Sequence, residues 1–144
     1  MTITICSSAS FYKQVIEVEK VLKSMGFKVK IPMTANEMKK KGNFNVETFK
    51  PWLTGKSNYR RKTFLTKQHF KKVVSGDAIL VLNYKKNNIE GYIGGAVLAE
   101  MAVALHFKKP IYVLNPIPSR LTYTEELLGM QPIVLNGDLA KIRV

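Results

Sequence analysis

Along Thr2-Ile3-Thr4-Ile5-Cys6 branched apolar side chains alternate with hydroxyl ones, the two-residue period of a strand. Phe11, Val15, Val18, Leu22 and Met25 then recur at helical spacing, giving one apolar face, with Ser8 or Ser10 available to cap its start and Gly26 to end it. Phe27 to Ile31 reads as a second strand closed by Pro32, and a strand–helix–strand unit of this length implies parallel pairing. Residues 33–62 interrupt the rhythm. They are polar and basic, with Phe44, Phe49, Pro51, Trp52 and Tyr59 scattered among them, which predicts an irregular insertion that is a functional loop, a lid or a disordered arm. Leu65, Phe70, Val73 and Val74 mark a helix from Phe64 to Ser75, and Asp77 to Asn83 is a near-continuous apolar strand of the kind buried in a parallel sheet. After a loop over 84–92, Gly94 to Phe107 forms a helix that is apolar nearly all round, and such a helix is usually buried. Pro110 to Leu114 is a fourth strand ending in Asn115-Pro116, Thr122-Tyr123-Thr124-Glu125 has the form of a capping box, and Pro132 to Leu135 is a short last strand.

Alternating strands and helices indicate an α/β fold: a flavodoxin-like or Rossmann-like open parallel five-stranded sheet in the order 2-1-3-4-5, helices on both faces. The chain reads as a single domain over 1–144 with a basic lid-like insertion at about 33–62. Ligands of such sheets bind beyond the carboxyl ends of the strands, where the order reverses between the first and third. The Cys6–Ser10 loop and the Asn83–Gly95 loop should meet there, each leading into a helix start whose free N–H groups favour phosphate. An anionic small-molecule site is therefore expected near Ser7, Ser8, Gly94 and Gly95. Asn83 and Asn115, at strand ends, either contact the ligand or cap their loops. Tyr92 either stacks on a base or sugar or simply packs.

Composition narrows the class. With 46% hydrophobic residues in 144, the chain can bury a real core. Met1 to Cys6 lacks the features of a signal peptide, no apolar stretch is long enough to span a bilayer, and a single cysteine fits a reducing cytoplasm. The net charge of +13 is concentrated: residues 36–72 hold 11 basic and 2 acidic side chains, whereas 73–144 hold 7 and 6. This suggests a local field for phosphates or a solvated arm rather than a uniformly basic nucleic-acid binder. Polynucleotide binding through the 36–72 segment stays open, although no recognisable nucleic-acid-binding fold accompanies it. Gly55-Lys56-Ser57 looks like the end of a phosphate-binding loop, but position 50 is lysine and no strand precedes it, so that motif is rejected.

Within the apolar helix one residue breaks the pattern. Glu100 is flanked by alanine, leucine, methionine and valine, and a charge in such a setting must be paired, protonated or used. It is either a structural partner of a lysine or serine, or a carboxylate poised as nucleophile or general base. Cys6 reads as a small buried side chain or a reactive thiol, and Asp77 as an organiser of its strand start or a chemical group. The two histidines and one cysteine show no metal-ligand spacing, so neither metal nor cofactor is expected.

Hydroxyl residues after the first strand, Asp77 opening the third, the Gly94-Gly95 loop with Glu100 in the next helix, Ala104, and Lys109-Pro110 opening the fourth strand together resemble the nucleoside 2-deoxyribosyltransferase-like superfamily. That group includes deoxyribosyltransferases and deoxynucleoside-monophosphate N-glycosidases. The resemblance implies that Glu100 attacks the anomeric carbon of a (deoxy)nucleoside or its 5′-monophosphate. It also implies that Ser8 binds a 5′-phosphate, that Gly94 and Gly95 contact phosphate or sugar through backbone N–H groups, and that homodimers or higher homo-oligomers complete the pocket. The chain departs from the family at two positions. Counting eight residues back from Asp77, where the family commonly has an acid, gives His69, which could still serve in proton transfer; the strand-one tyrosine is replaced by Ile3, Thr4 and Ile5. A nucleotide-binding module of the same fold without catalysis is the second reading.

Overall fold

The computed structural model describes residues 1–54 and 59–143. Gly55-Lys56-Ser57, and with them part of the 33–62 and 36–72 segments, lie outside the described residues. Five strands form one sheet: β1 (Thr2–Ser7), β2 (Lys28–Lys30), β3 (Ala78–Leu82), β4 (Ile111–Val113) and β5 (Ile133–Val134). Their order is β2-β1-β3-β4-β5 and every pairing is parallel, as the sequence predicts. Between them run α1 (Tyr12–Ser24), α2 (Met33–Lys41), α3 (Val46–Phe49), α4 (Arg60–Ser75), α5 (Gly95–His106) and α6 (Thr124–Gly129).

The strand period of two divides the core. Ile3, Ile5, Leu80 and Leu82 face the layer that holds Val15 and Leu22 of α1. Cys6, Ile79 and Val81 face the opposite layer, with Val73 of α4, Val97 and Met101 of α5 and Leu127 of α6. α4 and α5 pack side by side in that second layer.

The described part of 33–62 is largely helical rather than irregular. Thr34, Ala35 and Met38 of α2 are buried, and α1 packs against it. Lys39, Lys40 and Lys41 occupy the last turn of α2, where cations complement the helix dipole, and Gly42 closes it at φ 63°. Two expected caps are also absent. A 3₁₀ turn over Ala9–Phe11 precedes α1, and neither Ser8 nor Phe11 makes a side-chain cap bond. At α6 the cap position is Tyr123; the Thr124 hydroxyl instead donates to the carbonyls of Pro118 (2.8 Å) and Leu121 (2.9 Å). Asp77 organises its strand start by accepting the Thr2 N–H at 2.6 Å. Among the described residues no helix is long and apolar enough to cross a membrane.

Candidate active site

Because β1 turns Cys6 toward the α4–α5 layer, the strand lays a thiol under the junction of the two helices. α4 is fastened there: Thr4 Oγ1 donates to the Lys72 carbonyl at 2.8 Å, and Lys72 Nζ donates to the Ile31 carbonyl at 2.7 Å. One turn earlier on α4, His69 meets Cys6 with Nε2 3.5 Å from Sγ. On α5, Val97, Met101 and Ala104 form the buried stripe, and Glu100 borders it, its Oε1 3.9 Å from His69 Nε2. His69 is thus buried despite its basic neighbours Lys67, Lys71 and Lys72; its side chain keeps 7% of its surface and that of Glu100 14%.

Removal from water sets the charge state of this group. Burial pushes the Glu100 carboxyl up to about 8, against the opposing pull of a contact with the Cys6 thiol and of the Lys62 charge. Burial, and then the charge of Lys72, lowers His69 to about 4; the nearby Ile5 carbonyl opposes this, although Nδ1 closes no hydrogen bond of good geometry. Near neutral pH the pair is a carboxylic acid beside a neutral imidazole, not an ion pair. Burial and the proximity of Glu100 push the Cys6 thiol well above its ordinary value, which makes it an inert thiol. Glu100 Oε2 and His69 Nδ1 are buried without hydrogen-bond partners among the described residues. A polar atom left so is costly and is common where a substrate completes the bonding.

The group opens into a cavity of about 360 Å³ at the carboxyl end of the sheet. Ser7, Ser8, His69, Tyr92, Gly94, Gly95 and Glu100, seven of the residues expected at a site, all line it. The Ser8 hydroxyl accepts a hydrogen bond from Lys86 Nζ at 2.9 Å, while Ser7 Oγ is turned to the Ser8 carbonyl at 3.0 Å. Lys86 also lies 5.3 Å from the centroid of the Tyr92 ring. Asn83 and Asn115 lie outside this cavity's lining and border a neighbouring one. Asn83 Nδ2 donates to the carbonyls of Asn115 (2.9 Å) and Gly91 (3.2 Å), and its Oδ1 accepts from the Asn115 N–H (2.9 Å). Asn115 Nδ2 returns a bond to the Asn83 carbonyl at 2.9 Å. With their amides committed to one another, the two residues brace the crevice loops.

Among the lining residues that the sequence did not assign to the site are Tyr12 at the start of α1, Lys50 and Trp52 from the 33–62 segment, Lys62 on α4 and Lys86 in the β3–α5 loop. The basic excess over 36–72 was the signal for two of the three lysines; nothing in the pattern marked Lys86. Cys6, His69 and Glu100 also offer ligand atoms that all lie within 4.8 Å of one another, a set that could hold a soft divalent cation. Spacing along the chain could not disclose this set, since tertiary packing of β1, α4 and α5 assembles it.

No protein-family model matches the chain, and no curated protein matches it. Among solved structures it is similar to a 2-deoxyribosyltransferase from the psychrotolerant bacterium Bacillus psychrosaccharolyticus, with a TM-score of 0.53 and 17% sequence identity, covering 81% of this chain and 73% of that one. At this identity the likeness is one of fold, and the chain has the nucleoside 2-deoxyribosyltransferase-like architecture.

Proposed function

We propose that this protein is an enzyme acting on the N-glycosidic bond of a (deoxy)nucleoside or nucleoside 5′-monophosphate, by hydrolysis or deoxyribosyl transfer, with Glu100 as nucleophile. The observation that carries the reading is a dehydrated carboxyl 3.9 Å from a buried imidazole, at the switch-point end of the sheet and open to a cavity. The similar solved structure is a 2-deoxyribosyltransferase, which supports a nucleoside as the substrate class.

The resting protonation states suggest how the pair works. Transfer of the Glu100 proton to His69 creates a carboxylate and an imidazolium together. The carboxylate bonds to C1′ as the C1′–N bond breaks, and the imidazolium protonates the departing base. Water or an acceptor base then attacks C1′ as the Glu100–C1′ bond breaks, and its proton passes through His69 back to the freed Glu100, which restores the resting pair. Ser8 and the backbone N–H groups of Gly94 and Gly95 orient the sugar or its phosphate, and Tyr92 flanks the base or sugar. The 33–62 segment, which brings Lys50 and Trp52 to the cavity, acts as its lid. Homo-oligomerisation completes the pocket over Gly95, Ala96 and Ala99, which line the cavity yet remain exposed in the single chain.

Incubation with the common deoxynucleosides and their monophosphates, followed by chromatography of free base, tests this directly. Glu100→Gln should lower turnover roughly a thousandfold or more, and His69→Asn roughly a hundredfold or more. No base release from any of these compounds would falsify the enzymatic reading. A second reading, a binding module without turnover, is favoured by the neutral resting pair, in which no nucleophile is pre-formed. Tight nucleotide binding by calorimetry with no released base is its signature.

A further inference from the structure

We infer that the cavity selects a phosphorylated ligand over a free nucleoside, and that Lys50, Lys62 and Lys86 are the residues that make the selection. This rests on the proposed function for the identity of the nucleoside part, but not for the charge.

The three lysines come from separate parts of the chain and converge on one cavity. Each is half-buried. Lys86 is held by its bond to Ser8 and by the Tyr92 ring, and Lys62 Nζ lies 5.9 Å from the centroid of the buried Trp52 ring. Lys50 feels both: burial first, then the charges of Lys62 and Lys86, hold it below the ordinary lysine range.

Sequence neighbours provide a contrast. Arg61 pairs with Glu37 at 2.7 Å and Lys85 with Glu90 at 3.6 Å, both away from the cavity. The very next residue in each case, Lys62 or Lys86, turns into the cavity, and among the described residues neither it nor Lys50 has a carboxylate within ion-pair distance. Glu100 is the one acidic residue in the lining, and near neutral pH it is protonated. The empty cavity therefore concentrates three like charges in a partly desolvated space, an arrangement that an anion stabilises and a neutral nucleoside leaves uncompensated. A phosphate monoester brings about −1.5 to −2 charges and three acceptor oxygens. The acceptors fit the Ser8–Lys86 end, while Lys62 acts on Glu100 at the other.

The test is calorimetry on Glu100→Gln protein, so that ligand is not consumed, with each deoxynucleoside, its 5′-monophosphate, inorganic phosphate and a short single-stranded oligonucleotide. The monophosphate should bind at least about tenfold more tightly than the nucleoside, and Lys50→Gln or Lys86→Gln should each weaken monophosphate binding about tenfold more than nucleoside binding. Inorganic phosphate should compete weakly. Equal affinity for nucleoside and monophosphate, or a preference that survives both substitutions, overturns the inference. Tightest binding by the oligonucleotide assigns the lysines to a polynucleotide backbone and also overturns it. Thermal melting gives an independent readout: relief of like-charge crowding should raise the Tm of the empty Lys50→Gln and Lys86→Gln proteins, whereas a merely structural lysine would lower it. If the preference holds but wild-type protein releases no base, the glycosidic reading fails and this one stands.

Discussion

Glu100 and His69 titrate in opposite senses, and the overlap fixes a pH window for stability. The folded Glu100 keeps its proton until about pH 8, whereas an ordinary glutamate releases it near 4.5, so its contribution is present below 4.5 and is lost as pH rises through 8. The folded His69 takes up a proton only near pH 4, against 6.5 in the unfolded chain, so its contribution is present above 6.5 and is lost as pH falls. Between about 4.5 and 6.5 the two oppose each other; above 6.5 only Glu100 acts. Stability of the empty protein should fall by roughly 2 kcal/mol from pH 6.5 to 8, and Glu100→Gln should flatten that slope. Denaturant unfolding at several pH values measures it, and an unchanged slope in the variant would place the titrating group elsewhere. The same residue was legible in the sequence because a carboxylate amid alanine, leucine and methionine is costly whatever the fold. Its partner His69 was reached only through the family resemblance, eight positions before Asp77; its burial is not marked in its basic stretch, and Thr4 and Lys72 pin its helix α4 to the sheet.

At the scale of elements, strands and the long helices declared themselves through periodicity, and the 2-1-3-4-5 order followed from connection rules. α2 was missed since few apolar residues mark its inner face, although three lysines followed by Gly42 were a legible helix end. The capping box at 122–125 failed because the helix begins one residue later than the box requires, which puts Tyr123 rather than Thr122 at the cap position. The crevice loops rest on one glycine. Gly91 has φ +71°, and a Cβ there would lie 2.5 Å from the Pro116 carbonyl oxygen, on the loop that Asn83 also holds. Gly91→Ala should cost roughly 2–4 kcal/mol, seen as a Tm lowered by several degrees. At Gly95 an added Cβ meets nothing within 4 Å, so Gly95→Ala should change stability by under about 0.5 kcal/mol. Equal effects at the two positions would remove the argument for loop bracing.

For the whole molecule, α5 departs from expectation in a useful way. Although apolar nearly all round, only one side of it is buried: Gly95, Ala96, Ala99, Ala102 and Leu105 are exposed, Leu105 at 50%, with Phe107 beyond the helix at 49%. A helix of this composition facing water implies a covering partner, and a second copy of the chain is the expectation. Light scattering should report a dimer or larger species at micromolar concentration, and Leu105→Asp should shift it toward monomer; a wild-type monomer at high concentration counts against a shared pocket.

Beneath the pocket, the fully buried Cys6 lies against the imidazole and beside the carboxyl. A bulkier side chain at position 6 must push apart the groups above it, and a smaller one must let them sag. Inheritance should therefore treat positions 6, 69 and 100 as a single unit: in any lineage descended from this sequence, a lasting change at one is expected to be followed by a matching change at another.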